Sequence, residues 1–365
     1  MLTYFRRAMG FALTPRLLRR GLELFAAISV LGLALLLVYS RNLGASVDAL
    51  LHLRWGWVLG ALLLASSDWI GGGLRLWIAA RHLLPRPSLK GMILAAGFNS
   101  WAAYLTPSQT GGGPFMIWVM RRHGVPIPYG TICAFVTFVA TVAFFGIAGP
   151  VAIAFGAGRS LEAHGIPLVG ISFFDLFRAS LGMFIVIGAA MLVVIVFPNT
   201  VRRLIHGIAV RLGSWKPALA HHVDGWCAAV DEMHDAVVKF FQSWRGWLAL
   251  GGVVLSTGLA FANKLLAGYF VLRALGIPAH FVDVLLVQTL VFFLLYFAPT
   301  PGGSGIAEIL SAALMSIYVP DPLLASYTVL WRLSTSYLTV GVGSVIFWHW
   351  VRRGLIGREE PVAAV

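Results

Sequence analysis

Five ionisable residues stand inside otherwise apolar stretches of this chain: Asp68, Arg75, Lys264, Glu308 and Arg332. Placing such a group in a membrane costs about 2.5–3.5 kcal/mol on insertion scales, so each needs a partner, a wet cavity or a ligand. The three cations suit an anionic headgroup, because Lys and Arg both bind phosphate and Arg does so through two parallel N–H donors. Asp68 and Arg75 are seven residues apart and share one helical face, which admits a structural ion pair involving either of them. Glu308 follows the run Tyr296-Phe-Ala-Pro-Thr-Pro-Gly-Gly-Ser-Gly-Ile-Ala-Glu308. It either sits favourably at the positive end of a new helix or takes part directly in binding substrate or protons.

That run must break a helix. Pro299 and Pro301 remove backbone donors, and Gly302, Gly303 and Gly305 each cost about 1 kcal/mol against Ala in a helix interior. In hydrocarbon, broken backbone survives only where protein buries it or a watery cavity meets it. An earlier stretch, Thr106-Pro-Ser-Gln-Thr-Gly-Gly-Gly-Pro114, has the same character through Pro107, Gly111, Gly112, Gly113 and Pro114. A shift of 192 residues lays Tyr104 on Tyr296, Pro107 on Pro299, Gly111 on Gly303, Gly113 on Gly305 and Pro128 on Pro320. Each copy is preceded by a tryptophan pair, Trp55 with Trp57 and Trp244 with Trp247. This is the signature of internal duplication. Tyr104 and Tyr296, which open the two copies, join the five ionisable residues as candidate substrate contacts. The half-helices starting after Gly113 and Gly305 would add free N–H groups and a positive dipole end.

The composition says what must hold these residues. The chain is 59% hydrophobic and 11% charged, against about 25% charged in a soluble domain. Windows of about 20 apolar residues place full spans at roughly 22–39, 56–80, 129–156, 173–197, 246–273 and 323–350. Half-length pieces lie at about 91–105 and 114–122, and again at about 282–298 and 305–318. Each is too short to cross alone, which predicts two hairpins that enter and leave on one side. The expected fold is an all-α polytopic membrane protein with about six full spans plus two re-entrant pairs. It divides into a basic N-terminus and first span (1–54), a first repeat with an extra span (55–197), an amphipathic linker (198–243), a second repeat (244–351) and a polar tail (352–365).

Basic residues orient the chain. With the N-terminus cytoplasmic and both broken pairs re-entrant, the 27 Lys and Arg residues fall inside except Arg41, Arg54, Arg159, Arg178 and Arg273, and the three within spans. This is the positive-inside pattern and sets both termini in the cytoplasm of a bacterial-type inner membrane. The first break then enters from the cytoplasm and the second from outside, so the repeats are inverted and the substrate site lies near the midplane, as in secondary transporters. Ser304 is expected to be open to the outer solution and Gln109 closed to it.

Other signals are weaker. In the linker, Val223, Trp226, Val230, Met233, Val237 and Phe240 form one apolar helical face. His221, His222, Asp224, Asp231, Glu232, His234 and Asp235 lie on its polar back and read as a solvated face, not a metal site. Gly71-Gly-Gly73 permits close helix packing. Cys133 and Cys227 form no framework. The +13 net charge reads as membrane anchoring, with no nucleic-acid partner. No cofactor or metal is expected, and no catalytic constellation or nucleotide-binding loop is spelled out.

At Thr106–Pro114 with Arg121-Arg-His-Gly124, at Pro299–Glu308, and at Leu330-Trp-Arg332 with Tyr337, the chain resembles the transmembrane flippase domain of lysylphosphatidylglycerol synthases and the related stand-alone membrane proteins. The resemblance runs from about residue 20 to 350. It implies a lipid-handling protein that moves an amphiphile with an anionic or zwitterionic headgroup between leaflets: a phospholipid, an aminoacyl-phospholipid or a lipid-linked sugar. It does not imply the synthase reaction, which in the family belongs to a separate soluble C-terminal domain. The chain departs from the family at Gly113, where a polar residue often stands, and this leaves the headgroup open. The alternatives are an integral-membrane enzyme acting on a lipid headgroup, for which Glu308 with Asp68 is the one available pair, and a scaffold for a lipid-modifying synthase encoded elsewhere. The oligomeric state is not legible.

Overall fold

Apolar runs bounded by Pro, Gly and basic turns become helices almost throughout. The computed structural model describes residues 15–40, 43–154, 165–166, 171–215, 217–296 and 298–353. Its first half comprises α1 (Pro15–Ser40), α2 (Leu43–Leu51), α3 (Trp55–Leu83), α4 (Leu89–Leu105), a 3-10 turn (Pro107–Gln109), α5 (Gly112–Arg122) and α6 (Ile127–Ala154). A two-residue antiparallel pair, β1 (Gly165–Ile166) and β2 (Ile171–Ser172), precedes α7 (Phe173–Val196). The linker forms α8 (Pro198–Trp215) and α9 (Pro217–Phe241). The second half runs through α10 (Trp244–Ala274), α11 (Phe281–Tyr296), a 3-10 turn (Pro301–Gly303), α12 (Ile306–Met315), α13 (Leu324–Arg332), a π-helical turn (Leu333–Tyr337) and α14 (Leu338–Arg352).

The protein is an all-α polytopic membrane protein. Among the described residues, Leu18–Val38, Trp55–Leu83, Ile127–Ala148 and Trp244–Ala274 are long and apolar enough to cross a bilayer. The other two expected spans appear as α7, whose apolar part is shorter, and as the jointed rod α13–π-turn–α14. Outward-facing side chains stay apolar: Leu63, Leu255 and Val345 are more than 70% exposed, which suits a lipid solvent and not water.

Both expected breaks are present. Helix α4 ends at Leu105 and α5 restarts at Gly112, and α11 ends at Tyr296 before α12 restarts at Ile306. Helix α4 packs on α5, α11 packs on α12, and the two 3-10 turns pack on each other. The 192-residue register holds for the helices leading in, since α4 starts at Leu89 and α11 at Phe281. Through the turns it slips by two. Pro107 and Pro301 begin equivalent turns, and Gly111 and Gly305 precede the equivalent helices α5 and α12. The pairings of Pro107 with Pro299, Gly111 with Gly303 and Gly113 with Gly305 are therefore corrected, because the second half carries two more residues ahead of its turn.

The long helices α3 and α10 are the central pair. Their approach depends on Gly71-Gly-Gly73: a Cβ at Gly71 would stand 2.7 Å from the Ala260 nitrogen of α10, and one at Gly73 2.5 Å from Ile93 Cα of α4. Two cores flank the pair. One gathers α3–α6 with Phe347 of α14, and the other gathers α11–α13 with the end of α10. The C-terminal part of α9 is docked on the first core through buried Val237 and Phe240, and His82 Nε2 lies 3.1 Å from the Phe240 carbonyl. The side chains of Val223, Trp226, Met233, His221, His222 and Asp224 lie outside the described residues.

Candidate functional site

The two breaks are built differently. At the first, Thr106 Oγ1 accepts the Gly111 N–H at 2.8 Å and donates to the Ala102 carbonyl at 2.8 Å, closing the orphan ends of the broken helix. Gln109 takes a left-handed backbone, φ 58°, and its Nε2 reaches the Leu295 carbonyl of the other break at 3.4 Å. At the second break Gly302, Gly303 and Gly305 all have positive φ, a conformation open to Gly without the Cβ penalty. Thr300 Oγ1 donates to the Ser304 carbonyl at 2.9 Å, and Glu308 Oε2 accepts the Gly305 N–H at 2.7 Å.

Glu308 is thus a cap, and it is also one half of a closed ion pair. Arg332 Nε donates to Glu308 Oε1 at 2.9 Å, with side-chain exposures of 2% and 0%. Ser29 Oγ lies 3.4 Å from Arg332 Nη2, and Tyr337 O–H lies 3.4 Å from Glu308 Oε1. The rings of Phe25 and Tyr337 each stand 5.5 Å from the guanidinium carbon. Every charge in this cluster has a hydrogen bond, the condition under which a buried pair is tolerated.

The π-turn after Arg332 is the joint of the last span. Widening the helix leaves carbonyls without their usual partners, and such turns recur at functional sites. Asn263 Nδ2 donates to the Ser334 carbonyl at 3.0 Å, and Tyr104 O–H donates to the Thr335 carbonyl at 2.7 Å. Tyr104 therefore binds break-one helix α4 to the jointed span. Asn263 is tied back in turn, its backbone N–H donating to Ser67 Oγ at 3.0 Å.

Between these parts lies a cavity of about 280 Å³. Both breaks wall it, through Gln109 and Gly113 and through Leu295 and Gly302. Asp68, Arg75, Lys264, Arg332 and Tyr104 all reach it, so the tertiary fold brings together five of the seven candidate substrate contacts. Glu308 sits behind Arg332, and the side chain of Tyr296 lies outside the described residues. Lys264 Nζ stands 3.5 Å from Asp68 Oδ1, with exposures of 20% and 0%. Arg75 Nη1 donates to Thr141 Oγ1 at 3.0 Å. Both cations lie against the Phe261 ring, Arg75 at 5.6 Å and Lys264 at 5.0 Å, which favours a desolvated positive charge there. The ion pair expected to involve Asp68 or Arg75 is found at Asp68, with Lys264 of the neighbouring helix as its partner.

Phe261, Asn99, Ser100, Thr137 and Thr141 also line the cavity. Sequence reading missed them, although Thr137 and Thr141 share a face of an apolar span and Asn99 interrupts a half-segment. Ser304 is wholly buried, its hydroxyl donating to Pro301 O at 2.8 Å. The expected outer exposure of Ser304 is corrected, because the turn folds inward onto its partner. In the linker, Asp231 meets Arg202 at 2.6 Å and His206 at 3.0 Å, and His234 lies within 3.0 Å of Asn199 and Asp235.

Residues 24–343 match the family described as the lysylphosphatidylglycerol synthase TM region. A UPF0104 membrane protein of Archaeoglobus fulgidus is 24% identical over 298 residues, which cover 80% of this chain and 86% of the relative.

Proposed function

We infer that this chain, which belongs to the family of lysylphosphatidylglycerol synthase TM regions, moves a lipid with an anionic or zwitterionic headgroup from one leaflet to the other. One observation carries the reading: two broken helices meet at a cavity whose wall holds Arg75 and Lys264, both against the Phe261 ring. A phosphate entering there would meet two cations able to form charge-assisted hydrogen bonds. Hydroxyls of Ser100, Thr137 and Thr141 supply neutral partners for the rest of the headgroup. The acyl tails stay in the bilayer, so a path with few charges suffices.

Two inverted repeats with re-entrant hairpins would give this cavity access to either face in turn, around a fixed site. The basic-residue pattern supports a cytoplasmic side for both termini in this reading. Transport is preferred to headgroup chemistry because the two carboxylates an enzyme would need are divided. Glu308 is held by Arg332 and Gly305, while Asp68 alone lines the cavity.

Leaflet exchange in proteoliposomes, across a panel of labelled phospholipids and lipid-linked sugars, tests the reading. At least one lipid should be accelerated, and Lys264→Ala or Arg75→Ala should slow it. No acceleration with any lipid would sink the proposal.

A further inference from the structure

The Asp68 side chain is wholly buried, and neither of its carboxylate oxygens makes a hydrogen bond of good geometry among the described residues, although the Asn263 amide stands close enough to act on it. What compensates its charge is Lys264 Nζ of α10, 3.5 Å away. That lysine is also a cation that an anionic headgroup would seek. Arg75, two turns along the same helix, is the other charge acting on Asp68, and its Nη1 is bound to Thr141. From the other elements packed on α3, helix α4 presents Tyr104 as its titratable group at the cavity, and α6 presents only hydroxyl and apolar side chains. Arg332, just ahead of the π-turn, and Tyr337, its last residue, are engaged with Glu308.

We propose that Asp68 is a proton-binding site, taking up one proton as an anionic headgroup engages Lys264, so that lipid and proton move together. The inference rests on the lipid-exchange reading above. When a phosphodiester claims Lys264, Asp68 is left as a buried carboxylate that has lost its nearest counter-charge and keeps only Arg75, itself bound to Thr141, and the Asn263 amide. Such a state costs several kcal/mol, and a group so placed neutralises instead. The carboxylate gains a proton from the solvent that reaches the cavity, the phosphodiester stays an anion paired with the ammonium, and no covalent bond to the lipid forms or breaks. On release Lys264 returns to Asp68 and the proton leaves. One negative headgroup and one proton carry no net charge, so a proton gradient, and not the membrane potential, would set the direction.

Proton uptake can be counted without transport. The full-length chain in detergent is titrated calorimetrically with dihexanoyl phosphatidylglycerol in two buffers of different ionisation enthalpy. About one proton should enter per lipid bound, and Kd should weaken about tenfold per pH unit wherever free Asp68 is ionised. Asp68→Asn should bind with no uptake and no pH dependence, and Lys264→Arg should retain the uptake. Lipid binding without proton uptake in the wild-type chain overturns the proposal, and this measurement stands even where Asp68→Asn does not fold. Inorganic phosphate should give neither binding nor uptake; equal uptake with phosphate would overturn the lipid assignment. Leaflet exchange without proton uptake sinks the coupling alone, whereas absence of both exchange and binding sinks the lipid reading together with it.

Discussion

Two acid–base pairs lie inside this protein, and they are built for different ends. Glu308–Arg332 is buried, short and hydrogen-bonded on each side, with the carboxylate also capping Gly305, although Arg332 touches the cavity wall. Asp68–Lys264 is longer, its carboxylate accepts no hydrogen bond of good geometry, and its lysine reaches into the cavity. A buried pair with every valence satisfied fixes geometry, while a poorly satisfied pair beside a cavity is poised to exchange partners. The first holds the second break in shape. On the proposal above, the second is the one a ligand reorganises.

Variants can break or sharpen that contrast. Glu308→Ala leaves Arg332 buried and uncompensated and should cost about 3–5 kcal/mol, read as a fall in the thermal midpoint of the detergent-solubilised protein. Replacing both partners by apolar residues should recover part of it. A stable Glu308→Ala protein that had lost only lipid exchange would reverse the roles assigned to the two pairs. Lys264→Ala should disturb stability less. Losing a charge-assisted hydrogen bond worth about 1.5–3 kcal/mol should slow leaflet exchange roughly ten- to hundredfold.

Gly71→Val tests whether the open pair depends on the spacing of α3 and α10. The new side chain meets the Ala260 backbone, and overpacking should cost about 1–3 kcal/mol of thermal stability. At the uncharged break, Thr106→Ala removes the acceptor for Gly111 N–H and should cost about 1 kcal/mol. A loss equal to that of Glu308→Ala would mean that the two breaks are equally dependent on their caps.

The smallest effect belongs to the linker. Slight desolvation pushes the Asp231 carboxyl up, but the hydrogen bond and charge of Arg202, helped by His206, outweigh it and hold the group below its ordinary value. A carboxyl lowered in this way contributes stability above its unfolded value of about 3.9 and loses it as pH falls through the folded one. Hydrogen exchange in α8 and α9 should therefore quicken in acid in the wild-type chain, and Asp231→Asn should flatten that dependence.

The membrane class, the long apolar helices and both breaks were legible in the sequence, because hydropathy over about 20 residues and the backbone limits of Pro and Gly are local properties. Membership of the family was legible for the same reason, since its spellings lie at those breaks. The five charged candidates could be named because charge in an apolar run is conspicuous. Their partners could not. Helical spacing put Asp68 and Arg75 on one face and admitted an ion pair at either, but only the close approach of α3 and α10 showed that Lys264 is the partner of Asp68. Glu308 remained open between two roles until Arg332 and Gly305 were found on its two oxygens.

The two-residue slip in the second turn and the π-turn at Leu333–Tyr337 also escaped the sequence. The π-turn is set by which carbonyls find partners, and those partners, Tyr104 and Asn263, lie 231 and 71 residues away along the chain. Residue types and their spacing therefore determined that charges and broken helices would occur within the membrane. Only the packing of α3 on α10, and of one break on the other, decided which charges pair with which and which of them reach the cavity, because Coulomb and hydrogen-bond energies depend on distances that the chain fixes only when folded.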